Sequence, residues 1–361
     1  MDRRAFLRNT TQLGMLLRFA PLTTFAQTTQ NYRKWMVIDA LCSVNTEDTI
    51  VKPEILKQAQ QSGVTAIHWT ISAPSFDDTV ENISFVERMV ENDPAHWTIV
   101  RRQSDFDRAK QERKIGILMG FQHPDPMGPD LKRLGTFRDL GVRVMQLTYN
   151  NRSLFGDGCL EPANAGLSKL GRAASAKMNE LGIVVDLSHS GQRTTAEGIE
   201  TSKKPVLITH SGCNAIHQHP RNKDDHELKA LSDRGGVVGI YFMPYLVASP
   251  SLPTREHALA HLDHALKVAG TDHVGIGSDG VIDTFPDTPE QRQRLADDME
   301  NRRKLGIAAP EEDRPPYSPD LNTPDRMQII AAGLEKRGYS EEVVEKVMGK
   351  NFYRALGEIW G

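Results

Sequence analysis

Eight short, almost uninterrupted apolar runs recur along this chain, each parted from the next by a polar or amphipathic stretch. They are "WMVIDAL" (35–41), "VTAIHWTI" (64–71), "IGILMGF" (115–121), "VRVMQLTY" (142–149), "IVVDLS" (183–188), "PVLIT" (205–209), "GVVGIYF" (236–242) and "HVGIGS" (273–278). A strand with one wet face alternates apolar and polar residues. Strands as continuously apolar as these are covered on both faces, which a parallel sheet achieves by laying its crossover helices over itself. The stretches between them, such as "KPEILKQAQQSG", "TFRDLG", "KLGRAASAKMNELG", "RTTAEGIETSK", "DHELKALSDRG" and "HALAHLDHALKVAG", have helical character. Several carry glycine at or near their end, where a helix stop needs a left-handed residue. Eight such units are the count of a closed (β/α)8 TIM barrel. The chain of 361 residues exceeds what that barrel needs, leaving the segment 280–322 and a helical C-terminal end. An open doubly wound sheet is the main rival, but no GxGxxG follows the first run and no P-loop occurs. With no internal repeat or low-complexity tract, residues 27–361 are expected to form one barrel domain. "APEEDRPPYSPDLNTP" (309–324) is expected to be a long surface loop over one end of it.

Residues 1–26 read differently. Paired Arg3 and Arg4, an apolar run, and small Thr24 and Ala26 ahead of a cleavage point have the layout of a twin-arginine export signal. A periplasmic location is the expectation. The formal net charge is -3 with no basic stripe, which argues against nucleic acid as a partner. No later apolar run approaches the ~18 residues needed to cross a bilayer. Cys42, Cys159 and Cys213 are an odd set with no CxxC spacing, so they form no disulfide framework.

In a barrel of this kind chemistry gathers where strands end and βα loops begin. Those positions hold Leu41, Cys42 and Ser43, then His68, Gln122 and His123, Tyr149 and Asn150, His189, His210, Tyr241 and Asp279. A single histidine at a strand end is commonly a structural side chain. Here two end adjacent strands, in "DLSHSG" and "ITHSG", and aim at the same side of the barrel mouth. Neutral imidazole is a favoured zinc ligand, and a catalytic zinc keeps about three protein ligands and a water whose pKa falls to ~7. Asp279 in "GIGSDG" stands where the last strand would aim a carboxylate at that water, to take its proton and pass it to a leaving amine.

The stretches "GLSKLGRAASAKMNELGIVVDLSHSG", "KPVLITHSGCNAIHQHPRNKDDHELKAL", "GGVVGIYFMPY", "AGTDHVGIGSDG" and "GLEKRGYSEEVVEKVMGKNFYRAL" resemble the membrane dipeptidase (renal dipeptidase) family of zinc metallopeptidases, a branch of the amidohydrolase-type barrels. The likeness runs from about residue 36 to 358. It implies a metallo-dependent hydrolase barrel that binds two zinc ions and cleaves dipeptides, tolerating a D-residue on the C-terminal side, in a family where dimers are common. Carried over by motif, it implies that His189 and His210 hold one zinc, that Asp279 is the catalytic carboxylate, and that Arg221 in "HPRN" grips the substrate carboxylate.

The chain departs from the family's pattern at four site positions. Leu41 and Ser43 stand where the first strand carries a His-x-Asp pair, Gln122 replaces the carboxylate that bridges two metals, and Tyr149 replaces a substrate-polarising histidine. Leucine ligates nothing, and a neutral amide does not balance two dications. The expectation is therefore one zinc per chain on His189, His210 and Gln122, with Tyr149 donating a hydrogen bond to the substrate's carbonyl oxygen. A cysteine joining the imidazoles is an alternative ligand set. A second functional expectation is a barrel that has lost hydrolysis and binds a peptide-like ligand, or assists maturation of an exported metabolite.

Overall fold

The computed structural model describes residues 32–361; the expected export signal lies outside the described residues. A barrel strand begins in each of the eight apolar runs, and only β6 continues past its run: β1 (Ile38–Asp39), β2 (Ala66–Thr70), β3 (Ile115–Phe121), β4 (Val144–Gln146), β5 (Val184–Asp186), β6 (Leu207–Ser211), β7 (Val237–Ile240) and β8 (Val274–Ile276). They pair in parallel and in chain order from β1 to β8. The Ala40 N–H donates to the Ile276 carbonyl at 2.9 Å and the Asp279 N–H to the Leu41 carbonyl at 2.8 Å, so the last strand returns to the first. A parallel pair of two-residue strands, Cys42–Ser43 and Gly280–Val281, extends that seam towards the mouth.

Helices at Pro53–Ser62, Lys169–Leu181, Gln192–Thr201, Asp225–Asp233 and Arg255–Ala269 coincide with stretches read as helical from their spacing. The crossover from β2 to β3 is larger than expected: helices Phe76–Asn92 and Gln103–Glu112 flank a strand, Trp97–Ile99, that pairs with the start of β3. Ser75 caps the first of these by accepting the Asp78 N–H.

The barrel floor is sealed by the chain's own end. Phe352, Ala355, Leu356 and Ile359, on one face of helix Asn351–Trp360, pack with Ile38, Ala66, Leu118, Val144, Val184, Leu207 and Val237. A Cβ on Gly275 would sit 2.4 Å from the Phe352 ring, so that glycine makes room for the plug. Beyond β8 the segment 280–322 crosses the opposite end. Its helix Pro289–Lys304 has no buried residue, but the stretch after it is only partly the surface loop expected, because Ala309, Arg314 and Ser318 are buried. The Arg314 guanidinium holds it down through the carbonyls of Pro244, Val247 and Ser251.

Candidate metal and active site

His189 follows β5 and His210 lies within β6, both buried. Their Nε2 atoms lie 3.0 Å apart, and the Gln122 Nε2, carried just beyond β3, lies 3.2 Å from one and 3.3 Å from the other. The three side chains picked out at separate strand ends therefore meet at one point.

Their outer partners decide which ring nitrogens carry protons. The Asn150 amide nitrogen donates to the Ile307 carbonyl at 2.8 Å, so its oxygen is the atom turned towards His189 Nδ1 at 2.7 Å. That oxygen can only accept, hence His189 Nδ1 is protonated and Nε2 bears a lone pair. At His210, Nδ1 faces the Thr209 hydroxyl at 2.9 Å, and that hydroxyl donates to Asp186 at 2.6 Å. The same logic protonates His210 Nδ1 and leaves its Nε2 bare. Burial, reinforced by the charge of Arg221, holds both imidazoles well below their ordinary pKa, so they are neutral at pH 7. Two lone pairs 3.0 Å apart repel unless something electropositive lies between them. A cation serves, and so does the Gln122 NH2 group with one hydrogen for each ring.

The pattern of a neutral imidazole whose far nitrogen donates to a fixed oxygen is the one metal-binding histidines show. The donors fit one cation held by His189, His210 and, with its amide turned, the Gln122 oxygen. They make an uncharged set. Among the described residues no group of three His, Cys, Asp or Glu side chains is placed to hold a metal. Leu41 is buried, and the Ser43 hydroxyl donates to the Gly280 carbonyl at 3.3 Å.

Tyr149 is aimed inward. Its ring stacks on His189 with centroids 4.2 Å apart and planes at 24°. The Arg302 guanidinium donates to the Tyr149 hydroxyl at 3.3 Å and forms a two-pronged pair with Glu312 at 2.9 and 3.0 Å. Because Arg302 occupies a lone pair of the phenol oxygen, the phenolic proton is left for another acceptor. Sequence reasoning missed Arg302 and Glu312, which sit in a highly polar segment with nothing to mark them, and gave Asn150 no role beyond its place at a strand end.

Asp279 adopts a left-handed backbone (φ 57°) between β8 and Gly280–Val281. Aspartate tolerates this region better than most residues, and strain of this kind concentrates at functional sites. Its carboxylate accepts no hydrogen bond among the described residues, and burial raises its pKa to about 6 despite the opposing pull of Arg221. Arg221 itself is 2% exposed. One arm of its guanidinium donates to the Ser188 carbonyl and the other to the His210 carbonyl at 3.4 Å, which braces the backbone beneath both histidines.

The three cysteines are free thiols and none joins the imidazole pair. Cys159 comes nearest, its Sγ donating to the Asn150 oxygen at 3.5 Å, while Cys213 bonds the His261 carbonyl. His123 pairs with Asp125 at 3.2 Å at the rim. His219 is locked between the Arg221 N–H and the Pro310 carbonyl, and His261 between the Cys213 N–H and the Leu246 carbonyl.

The fold and the histidine pair at its mouth define a (β/α)8 barrel of the metallo-dependent hydrolase class. Residues 51–309 match the family model described as membrane dipeptidase (Peptidase family M19), and the chain belongs to that family. It is 31% identical over 288 residues to the dipeptidase tcpJ of Claviceps purpurea, covering 79% of this chain and 60% of that protein. It is 28% identical over 287 residues to the dipeptidase verJ of Clonostachys rogersoniana, covering 78% and 65% respectively. The chain thus spans less than two thirds of the length of these curated relatives. Among solved structures an amidohydrolase from Pseudomonas aeruginosa is 31% identical with a TM-score of 0.82, covering 92% of this chain and 99% of that one.

Proposed function

We propose that this protein is a metal-dependent dipeptidase that cleaves the amide bond of a dipeptide or a related small amide, with one zinc rather than two. The observation that carries this reading is the convergence of two neutral imidazoles, both with Nδ1 tied back, on a shared point with Nε2 atoms 3.0 Å apart. His189, His210 and the Gln122 oxygen would hold the cation. When bound, it would lower the pKa of a water to ~7 and polarise the substrate carbonyl.

The remaining work falls to the chain's own groups. Asp279, unpartnered and poised near pH 6, takes the proton released as water adds to the carbonyl carbon, and delivers it to the amine as the C–N bond breaks. Tyr149, with Arg302 holding its oxygen, donates its proton as a hydrogen bond to the carbonyl oxygen as negative charge develops there. Arg221 has N–H groups beyond the two that brace Ser188 and His210, and these offer a fork to the substrate carboxylate. We further propose that the chain from residue 27 acts in the periplasm as one domain and pairs as a homodimer.

Metal content by mass spectrometry, followed by a panel of L,L- and L,D-dipeptides with His189→Ala as the control, tests the assignment. One equivalent of zinc and turnover abolished in His189→Ala are expected. A folded protein that takes up no metal and turns over nothing with zinc supplied would overturn it.

One observation favours a second reading. The Gln122 NH2 group, at 3.2 and 3.3 Å from the two Nε2 atoms, satisfies both rings without any metal. Such a site suits a barrel that binds a peptide-like ligand and does not hydrolyse it. Thermal stabilisation by dipeptides in metal-free protein, with no product formed, would identify that behaviour.

A further inference from the structure

The opposite end of the barrel has a feature that the hydrolytic site does not account for. Between the starts of β2 and β3 lies a cleft of about 500 Å³ whose walls include Arg33, Gln60, His96, Lys110, Arg113 and Lys114. The seven residues of β3 separate it from Gln122, roughly 20 Å at ~3.3 Å per residue.

The charges around this cleft do not balance. Lys114 pairs with Glu112 at 2.6 Å and His96 with Asp93 at 2.7 Å. Among the described residues, Arg33, Lys110 and Arg113 have neither a carboxylate partner nor a side-chain hydrogen bond. A lone cation on an open surface is adequately hydrated. Here the Lys110 side chain is half-buried beside Ala109, Val64 and Ile115, and the nearby charge is another cation. Burial, with the Arg33 guanidinium adding to it, lowers the Lys110 ammonium to about 8. A half-buried ammonium with a second cation beside it is costly without an anion and favourable with one, and the exposed Arg113 adds a third positive charge to the same lining.

We propose that this cleft is a binding site for a small phosphate-bearing anion, held by Arg33, Lys110 and Arg113. Two guanidinium groups present paired N–H donors that match the oxygens of a phosphoryl group, and the Lys110 ammonium on the same lining supplies a point charge. The unpaired Nε2 side of His96 and the Gln60 amide add polar edges to the same wall. The volume of about 500 Å³ suits a diphosphate or a small phosphate ester.

Calorimetric titration of the full chain with inorganic pyrophosphate, at ionic strength held constant with chloride, tests this. Saturable binding of one anion per chain is expected, weakened at least tenfold in Arg33→Gln and in Lys110→Met and retained in His189→Ala. Arg33 and Arg113 are exposed, so Arg33→Gln and Arg113→Gln keep the test open if the lysine variant misfolds. Absence of saturation, equal affinity in the cleft variants, or loss in His189→Ala would overturn the proposal. Citrate binding as tightly as pyrophosphate would overturn the assignment to phosphate.

Discussion

Gln122 concentrates the chemical question at the residue scale. An amide can turn its oxygen to a cation or its NH2 to two bare imidazoles, and the two faces compete for one point. A carboxylate has only the first choice and adds a negative charge to an otherwise neutral donor set. Gln122→Glu is expected to raise zinc affinity at least tenfold, about 1.4 kcal/mol or more, measured by competition with a chromophoric chelator. Unchanged affinity would mean that Gln122 does not face the ion. Asn150→Ala removes the oxygen that sets the His189 tautomer, and should cost roughly 10- to 100-fold in the same titration. Asp279 makes a prediction about stability. Its pKa is raised from 3.8 to about 6, so across that window the folded protein keeps a proton the unfolded chain has released. Stability therefore falls as pH rises through the window, and the full cost, about 3 kcal/mol, is present above it. Asp279→Asn should melt several degrees higher than the parent at pH 7 and close to it at pH 4, in metal-free protein followed by circular dichroism. Equal melting of the two at pH 7 would remove the argument that this carboxylate is held uncompensated.

At the scale of elements, β3 delivers Gln122 to the pair, and its course depends on how close a neighbouring side chain comes. A Cβ on Gly120 would lie 2.1 Å from the His68 Nε2 and 2.8 Å from the Val144 carbonyl. His68 is itself pinned, its Nδ1 donating to the Ala40 carbonyl at 2.7 Å, so it has little room to retreat. Gly120→Ala is expected to destabilise the fold by about 1–3 kcal/mol through overpacking and to displace Gln122; chemical denaturation reads the first effect and zinc affinity the second. The strand itself was plain in "IGILMGF", because continuous hydrophobicity survives any choice of neighbours. The need for glycine at position 120 was not, because it arises from an imidazole more than fifty residues away in sequence.

For the whole molecule, the segment after β8 turns an open barrel mouth into a covered one. Arg302 and Glu312 form its latch, with side chains only 17% and 9% exposed, and Tyr245 donates to the same carboxylate at 2.9 Å. The segment is also tied down through Asn150 to Ile307 and through His219 to Pro310. Glu312→Gln leaves Arg302 without its charge partner, a loss of roughly 1–3 kcal/mol. Limited proteolysis should then cut within residues 305–318 markedly faster than in the parent, with the rest of the barrel resistant. An unchanged cleavage rate would show that the latch does not hold the segment.

The order of the eight barrel strands, the barrel, and the pairing of His189 with His210 follow from local sequence, since burial on both faces and helical spacing leave their mark residue by residue; the strand Trp97–Ile99 and its two flanking helices did not. The family likeness agreed with the role read for Asp279 from its strand end, added one for Arg221, and flagged Leu41, Ser43, Gln122 and Tyr149 as departures. Only the tertiary structure decided which ring nitrogens are bare, that Gln122 reaches both of them, that Arg221 lies buried beneath the histidines, and that Arg302 reaches Tyr149. Each of these depends on donors and acceptors brought together from distant strands, and a hydrogen bond between them has no signature in either partner's own neighbourhood.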